Sequence, residues 1–558
     1  MKKFLVFMLS IMMILVSIPL SPVSATTSFV VDCNSVLRGV THCASGSLYG
    51  LTETKPADIN GLVKPLNPGV FTNPARAGSG YQQPIGAAIP SAGRITGTTG
   101  KVMIRLADIF PGWPYQFTNM TDWLNKVKAV ITDKKNSGYS NFYGYEIWNE
   151  PDGTWNTANG TFNNLWLQTY NTIKANDPSA KIIGPSYAVY DSTKIRDFLS
   201  FCKTNNCLPD IFCWHELGAG NGVSGMAGRF NDYKSIESSL GISPRLISIN
   251  EYCDATKSLE GQPGSSARFI GKFERYKIDS ACISWWFTAY PGRLGSLLAT
   301  DTSKGAGWYF YKWYGDMTGN MVSVTPPNEA SNNADGAACV DSSAKYVSFI
   351  FGGPNDGTIS TVIKNLPSFI GSNATVKIEK VDWTSKDTVS NGPTTVSTSN
   401  YAVTNGQITV TLSGCNSSSG YRIYVTPAST STTTRYEAES GTLSNCAVYS
   451  ASQCSGGKFV GTIDPTGAYV QFAVNAPSAK AYTMTVHYAN GGSAASTHTV
   501  SVNGGSGTTI NYNTTGAWFA AGNAGAYATM TVNLNSGNNT IRFTKATNYG
   551  EIDYIEIQ

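Results

Sequence analysis

Tyr143-Gly-Tyr-Glu-Ile-Trp-Asn-Glu-Pro-Asp152 is the stretch on which the reading of this 558-residue chain turns. Its apolar and aromatic run reads as a short buried strand. Pro151 cannot continue a central strand, so the run is expected to stop there, with Glu150 emerging at the strand's C-terminal mouth. Trp148 is expected to wall the Glu150 carboxyl and raise its pKa by desolvation, which is the environment a general acid needs. A lone glutamate here would read as a solvated acid at a strand end; the Trp-Asn-Glu-Pro setting argues against that.

Outward from this stretch, strand-like and helix-like segments alternate. Lys101–Leu106 reads as an early strand and Trp123–Lys135 as the helix after it, with Trp123, Val127, Val130 and Ile131 on one face. Beyond the Glu150 strand come a helix over Phe162–Asn176, a strand over Lys181–Gly184 and a helix over Thr193–Thr204. Strands at Asp210–His215, Arg245–Glu251 and Ala281–Trp286 then alternate with helices at Arg229–Ser239, Phe269–Tyr276 and Gly305–Met317. Such units predict a parallel (β/α)8 TIM barrel with its chemistry at the strand C-termini. A doubly wound sheet would call for a Gly-rich phosphate loop, which no strand here precedes. Cys43–Arg94, rich in Gly and Pro, carries no readable pattern. Leu246-Ile-Ser-Ile-Asn-Glu251 offers a second strand-end carboxylate, with Glu216 of Trp214-His-Glu-Leu as runner-up. Glu146, inside its strand, is set aside.

Trp148-Asn149-Glu150-Pro151 resembles the acid/base motif that ends the fourth strand in the clan A retaining (β/α)8 glycoside hydrolases, and Tyr145–Asp152 is most similar to family 39. That family includes β-xylosidases, α-iduronidase and bacterial exopolysaccharide hydrolases. The resemblance implies Glu150 as acid/base, Glu251 at the seventh strand as nucleophile, and Arg105 as the arginine that keeps the nucleophile ionised. It places His215 where the clan has a residue orienting nucleophile or sugar. The Asn149 amide can hydrogen-bond a sugar hydroxyl. Of Trp285 and Trp286, which end the eighth strand, alternation turns one toward the sugar, and Trp286 is preferred.

Composition sets limits on partners. Met1–Ala25, with Lys2-Lys3, an apolar core from Phe4 to Ile18 and Val23-Ser24-Ala25, reads as a secretory signal peptide. No other apolar run approaches the ~18 residues a membrane span needs, so no membrane partner is expected. The formal charge of +4 falls to +2 without Lys2 and Lys3, and no basic tract exists, which argues against nucleic acid. Charged residues make up 14% of the chain, against ~25% ordinarily, leaving a surface of Gly, Ser, Thr, Asn and aromatics suited to neutral carbohydrate. The barrel region has no His-Glu-x-x-His and the chain has no Gly-x-Ser-x-Gly, so zinc and serine-elbow chemistry are not supported. Eleven cysteines without a Cys-x-x-Cys could close short loops at Cys33/Cys43, Cys202/Cys207 and Cys446/Cys454.

From Met321 onward short alternating strands replace helices. The expected organisation is a signal peptide over 1–25, a catalytic barrel over 26–318, a β-sandwich over 319–426 that 26–40 joins, a Thr/Ser linker over 427–434 and a last domain over 435–558. Tyr436-Glu-Ala-Glu-Ser440 and Glu551–Ile557 resemble the first and last strands of family 35 and family 6 carbohydrate-binding modules, which are jelly-roll β-sandwiches. That resemblance implies a structural Ca²⁺ held by Glu437, Glu439 and Asp553, and a sugar site with Trp518, Asn548 and Tyr469, Asn490 being a further candidate. The whole reads as a secreted, monomeric, retaining hydrolase of plant or microbial polysaccharide such as xylan, needing no cofactor for catalysis. Its carboxyls are expected ~5–5.5 Å apart. The alternative is a non-catalytic polysaccharide-binding protein whose barrel merely docks sugar.

Overall fold

Strands buried on both faces read as continuous apolar runs, and such runs build the first sheet of the molecule. A computed structural model describes residues 27–218, 222–284, 291–353, 356–428 and 433–558. The signal segment and Trp285 and Trp286 lie outside the described residues. The chain divides into two compact units, Met1–Ala428 and Ser429–Gln558.

In the first unit β1 (Thr27–Gly39) belongs to a second sheet, apart from the barrel. The parallel strands β2 (Gly46–Leu48), β3 (Val70–Pro74), β4 (Lys101–Arg105), β5 (Phe142–Glu146), β6 (Ile182–Tyr187) and β7 (Ile211–Trp214) follow in order. The two-residue β8 (Glu216–Leu217) pairs only with β9 (Leu246–Cys253). β10 (Ser280–Ile283) hydrogen-bonds to both β9 and β2 and so closes an eight-stranded TIM barrel. β2 and β3 lie in the Gly/Pro-rich segment without a readable pattern, because strands of three and five residues are too short to show a period.

Around the barrel run α1 (Ala88–Arg94), α2 (Met120–Asn136), the single turn α3 (Pro151–Thr154), α4 (Phe162–Asn176), α5 (Ser192–Thr204), α6 (Val223–Ser239), α7 (Pro263–Arg275) and α8 (Ala306–Gly315). Local chemistry starts several of them. The Asn119 side chain accepts the Asp122 N–H at the head of α2, and Asp191 accepts from Thr193 and Lys194 at the head of α5. α2 buries Trp123, Val127, Val130 and Ile131 against the barrel, the spacing of one helical face.

The second sheet, of nine strands, runs β16-β15-β18-β13-β12-β11-β1-β14-β17, where β11 to β18 are Asn320–Thr325, Asp335–Asp341, Tyr346–Gly352, Gly357–Lys364, Asn373–Val381, Thr394–Ala402, Ile408–Cys415 and Gly420–Pro427. Hydrogen bonding is continuous through all nine, rather than split between two sheets. β1 joins it, antiparallel to β11 and parallel to β14. Helix α7 lies between this sheet and the barrel, and every residue from Pro263 to Glu274 is buried. Gly271 permits that approach, since a Cβ there would meet Asp335 Oδ1 at 2.5 Å. The same aspartate pairs with Lys272 at 3.1 Å and Arg275 at 2.6 Å.

The second unit is a sandwich of a six-stranded and a five-stranded sheet around Val460, Phe472, Val486, Phe543 and Ile555. Its first strand, Thr434–Glu437, pairs antiparallel with its last, Glu551–Ile557. No cysteine is disulfide-bonded among the described residues. Cys33 and Cys43 sit in different hydrophobic clusters, as do Cys446 and Cys454, whereas Cys202 and Cys207 share one, with the Cys207 N–H donating to Cys202 O at 2.9 Å. Among the described residues no helix is long and apolar enough to cross a membrane.

Candidate active site

β5 ends at Glu146, and the next three residues carry the chain out of the barrel to Glu150, which adopts a left-handed conformation (φ 52°, ψ 53°). Such backbone costs about 1–3 kcal/mol in a non-glycine residue and must be held by its surroundings. Here the Glu150 N–H donates to Ser186 O at 2.9 Å, and its carbonyl accepts from the Gly153 and Thr154 N–H groups at 2.9 and 2.8 Å. Pro151 opens α3 directly after it, a position that wants neither an N–H nor another φ. The motif is therefore a rigid strand-to-helix corner. Glu251 is the sixth of the eight residues of β9, which runs on to Cys253 instead of closing at the glutamate.

Glu150, His215 and Glu251 are buried together, each offering one ligand-type atom within 4.8 Å of the other two. His215 Nδ1 lies 3.0 Å from Glu150 Oε1, and its Nε2 lies 3.8 Å from Glu251 Oε1. Burial alone would push the imidazole pKa down, but the carboxylates of Glu251 and Glu150 outweigh it and the net shift is upward. Arg105, fully buried, donates Nη1 to Glu251 Oε1 at 2.7 Å and grips Glu146 through Nε at 2.7 Å and Nη2 at 3.2 Å. Asn250 Nδ2 also reaches Glu146, at 2.5 Å. Glu146, set aside from sequence as a mid-strand residue, is thus the last residue of β5 and the counter-charge that anchors Arg105. A metal ion would find three ligand atoms here, but on the Glu251 side it would face the fixed guanidinium charge.

Arg105, Asn149, Glu150 and Glu251 line one cavity, together with Tyr49 and Tyr115. Trp148 stands behind it: its ring packs against Tyr115, Phe117, Trp123 and Trp155 with centroids 5.2–6.1 Å apart, and its Nε1 donates to Thr154. It braces the corner and does not wall the carboxyl as the sequence suggested. The Asn149 Oδ1 is buried without a protein partner. Glu216, the runner-up, is occupied elsewhere, taking Arg229 Nε at 2.9 Å and Trp214 Nε1 at 2.8 Å. Sequence reasoning missed Tyr49, Asp108, Tyr115, Gln82, Gln83 and Trp113. They belong to loops after β2, β3 and β4, where no spacing rule operates.

In the second unit Trp518, Asn548 and Asn490 line a shared pocket with Asp464 and Tyr549, the Trp518 and Tyr549 rings being 4.6 Å apart. Tyr469 is not among its walls; it opens a strand of the five-stranded sheet, with the Arg542 guanidinium 4.2 Å from its ring. Ser455 ties two of the expected calcium ligands together, its N–H donating to both Asp553 oxygens and its hydroxyl to Glu437. His487 Nδ1 is 2.7 Å from Asp553 Oδ2. One buried oxygen each of Glu437 and Glu439 has no protein partner. Burial, and then the charges of Glu437 and Asp553, raise the Glu439 pKa against the pull of Lys458, and converging carboxylate oxygens of this kind suit a hard cation.

A closed barrel with paired glutamates beyond its fourth strand and in its seventh, followed by a nine-stranded sheet and a separate β-sandwich, defines the class of fold: a TIM barrel with a modular β-rich C-terminus. Residues 434–558 match the carbohydrate binding module family 35. The solved structure of N2152 from Neocallimastix frontalis is 60% identical, with a TM-score of 0.71, over 72% of this chain and 100% of its own, and the chain belongs to the same family as N2152. It is also 27% identical, over 77% of its length, to the 3-O-alpha-D-galactosyl-alpha-L-arabinofuranosidase of Bifidobacterium longum subsp. longum, covering 43% of that protein. With the 3-O-beta-L-arabinopyranosyl-alpha-L-arabinofuranosidase of Bifidobacterium pseudocatenulatum it shares 26% identity over 69% of this chain and 46% of the other. The chain spans less than half the length of these two curated relatives.

Proposed function

We propose that the barrel is a retaining, family 39-like glycoside hydrolase acting on arabinose-bearing plant polysaccharide of the hemicellulose kind. The carrying observation is the approach of the two carboxyls, one oxygen of each within 4.8 Å. Retaining enzymes hold this pair ~5–5.5 Å apart and inverting ones ~6.5–9.5 Å, to admit a water. Arg105 holds Glu251 through the 2.7 Å bond to its Oε1, and Glu251 attacks the anomeric carbon while Glu150 protonates the departing oxygen. Glu150 then takes a proton from water, which displaces Glu251 and releases the sugar. His215, bonded to Glu150 and facing Glu251, keeps the two groups in register. Asn149, on the cavity wall, is the amide that would hydrogen-bond a sugar hydroxyl. The arabinofuranosidase names of the two relatives support the sugar, and the family 35 match supports a polysaccharide.

The module is proposed to bind sugar at the Trp518 pocket and to hold Ca²⁺ through Glu437, Glu439 and Asp553 as a structural ion. Export is inferred from the Met1–Ala25 pattern.

The roles are tested with azide. Glu150→Ala should form the glycosyl-enzyme from an aryl glycoside with a good leaving group and then stall, and azide should restore turnover as a glycosyl azide of retained configuration. Glu251→Ala should give the inverted azide. Opposite stereochemistry in the two variants exchanges the roles, and wild-type activity in both removes the pair from catalysis.

A further inference from the structure

Asp108 lies in the short 3₁₀ turn Ala107–Ile109 after β4, fully buried, and the double displacement does not use it. Its Oδ2 accepts the Tyr49 hydroxyl at 2.5 Å and its Oδ1 accepts the Tyr115 hydroxyl at 2.9 Å. Both tyrosines line the cavity that holds Glu150 and Glu251. The Tyr49 oxygen also accepts from Arg105 Nη1 at 3.2 Å, the nitrogen that binds Glu251 at 2.7 Å. Asp108 O further takes the backbone N–H of Gln82, another cavity residue. A single carboxylate therefore receives the protons of two cavity hydroxyls and connects through one of them to the arginine on Glu251.

The direction of those protons matters. A tyrosine O–H can donate once, and a proton given to Asp108 cannot be given to Glu251 or to substrate. With both protons committed, Tyr49 and Tyr115 present only lone pairs to the cavity and to Arg105. Were the Tyr49 proton to turn instead toward the nucleophile, it would hydrogen-bond the anion, stabilise it and blunt its attack.

We propose that Asp108 is a positioning residue of the hydrolytic site: by accepting both hydroxyl protons it makes Tyr49 and Tyr115 acceptors facing the cavity and keeps the Tyr49 proton off Glu251. The role rests on the hydrolase reading above. Burial pushes the Asp108 carboxyl up to about 7, against the pull of the Arg105 charge and the two tyrosine hydrogen bonds and with the Glu146 charge adding to the rise. Only the ionised Asp108 lacks a proton of its own and accepts from both tyrosines, so the arrangement is complete above that value and is lost as pH falls below it.

Asp108→Asn preserves shape but offers one acceptor oxygen and an N–H donor, so one tyrosine proton must turn elsewhere. With 4-nitrophenyl α-L-arabinofuranoside as probe, this variant should lose at least tenfold in kcat with KM within threefold of wild type. In a Tyr49→Phe/Tyr115→Phe background, where no proton remains to be directed, the same change should cost less than twofold. A loss of equal size in both backgrounds, or none in the wild-type background, overturns the proposal. The same four proteins are compared by thermal unfolding. Shifts non-additive by more than about 2 °C support the shared hub, and additive shifts overturn it. A wild type inert toward this and other glycosides refutes the hydrolase reading instead, while the unfolding cycle still decides whether Asp108 holds both hydroxyls.

Discussion

His215 shows how one side chain takes its role from partners remote in sequence. A scarce histidine at a strand end reads as a site residue ahead of a core one, and its partners are two glutamates 65 and 36 positions away, the first of them bonded to its Nδ1 at 3.0 Å. Because those carboxylates raise its pKa against the opposing effect of burial, the folded chain holds the imidazole proton more tightly than the unfolded chain. The resulting stabilisation is complete below the unfolded value of about 6.5 and is lost as pH rises through the higher folded value. His215→Asn should therefore lower the melting temperature more at pH 5.5 than at pH 8.5. A deficit that is constant, or that grows with pH, would show that the paired cation is not what stabilises the fold. Glu146 makes a related point. Its charge is consumed by Arg105 and Asn250, and only the neighbouring strands reveal that.

Among the helices, α7 is the one whose extent sequence misjudged most. The pattern suggested a helix only from Phe269, because Gly264, Ser265, Ser266 and Gly271 are poor helix formers, yet the helix begins at Pro263. Packing on both sides compensates for weak propensity, and the small residues are what allow it. Two glycines separate these effects. Gly228 in α6 is exposed, and a Cβ added there would have no neighbour within 4 Å, so Gly228→Ala should gain about 1 kcal/mol from propensity alone. At Gly271 the new Cβ would meet Asp335 Oδ1 at 2.5 Å and Gly336 O at 2.7 Å. Overpacking costs about 1–3 kcal/mol, which cancels or exceeds the same gain. Gly271→Ala should thus be neutral to about 2 kcal/mol destabilising in urea unfolding. A gain equal to that at Gly228 would mean the α7 interface is loose.

At the scale of the whole molecule the two units call for separate accounts of stability. The first is held by the large continuous core of the barrel and by the cluster under the nine-stranded sheet. The second has a smaller core and a knot of carboxylates at its paired terminal strands. A cation that binds only the folded form stabilises it by mass action. In excess chelator the full-length protein should therefore show a lowered melting transition for the second unit, restored by Ca²⁺, with hydrolysis of a small soluble glycoside unchanged. Identical melting curves with and without chelator would remove the ion.

Sequence by itself determined the barrel, because alternating strand and helix periods repeat over some 200 residues, and it placed Glu150 where the chain leaves a buried strand, because Pro151 cannot continue one. It also placed Glu251, Arg105 and His215 at the mouth of the barrel, since strand ends converge there in a parallel barrel. Tertiary structure alone decided which carboxylates are spent and which stay available. Glu216 and Glu146 have the same chemistry as Glu251, but Arg229 neutralises one, and Arg105 grips the other through two nitrogens while lending Glu251 a third. It alone decided that Trp148 braces the corner from behind, and that Tyr49, Asp108 and Tyr115, drawn from loops after two different strands, meet and connect through Arg105 to Glu251. Charge pairing and loop convergence are set by contacts between residues tens to more than a hundred positions apart, and no local period in the chain encodes them.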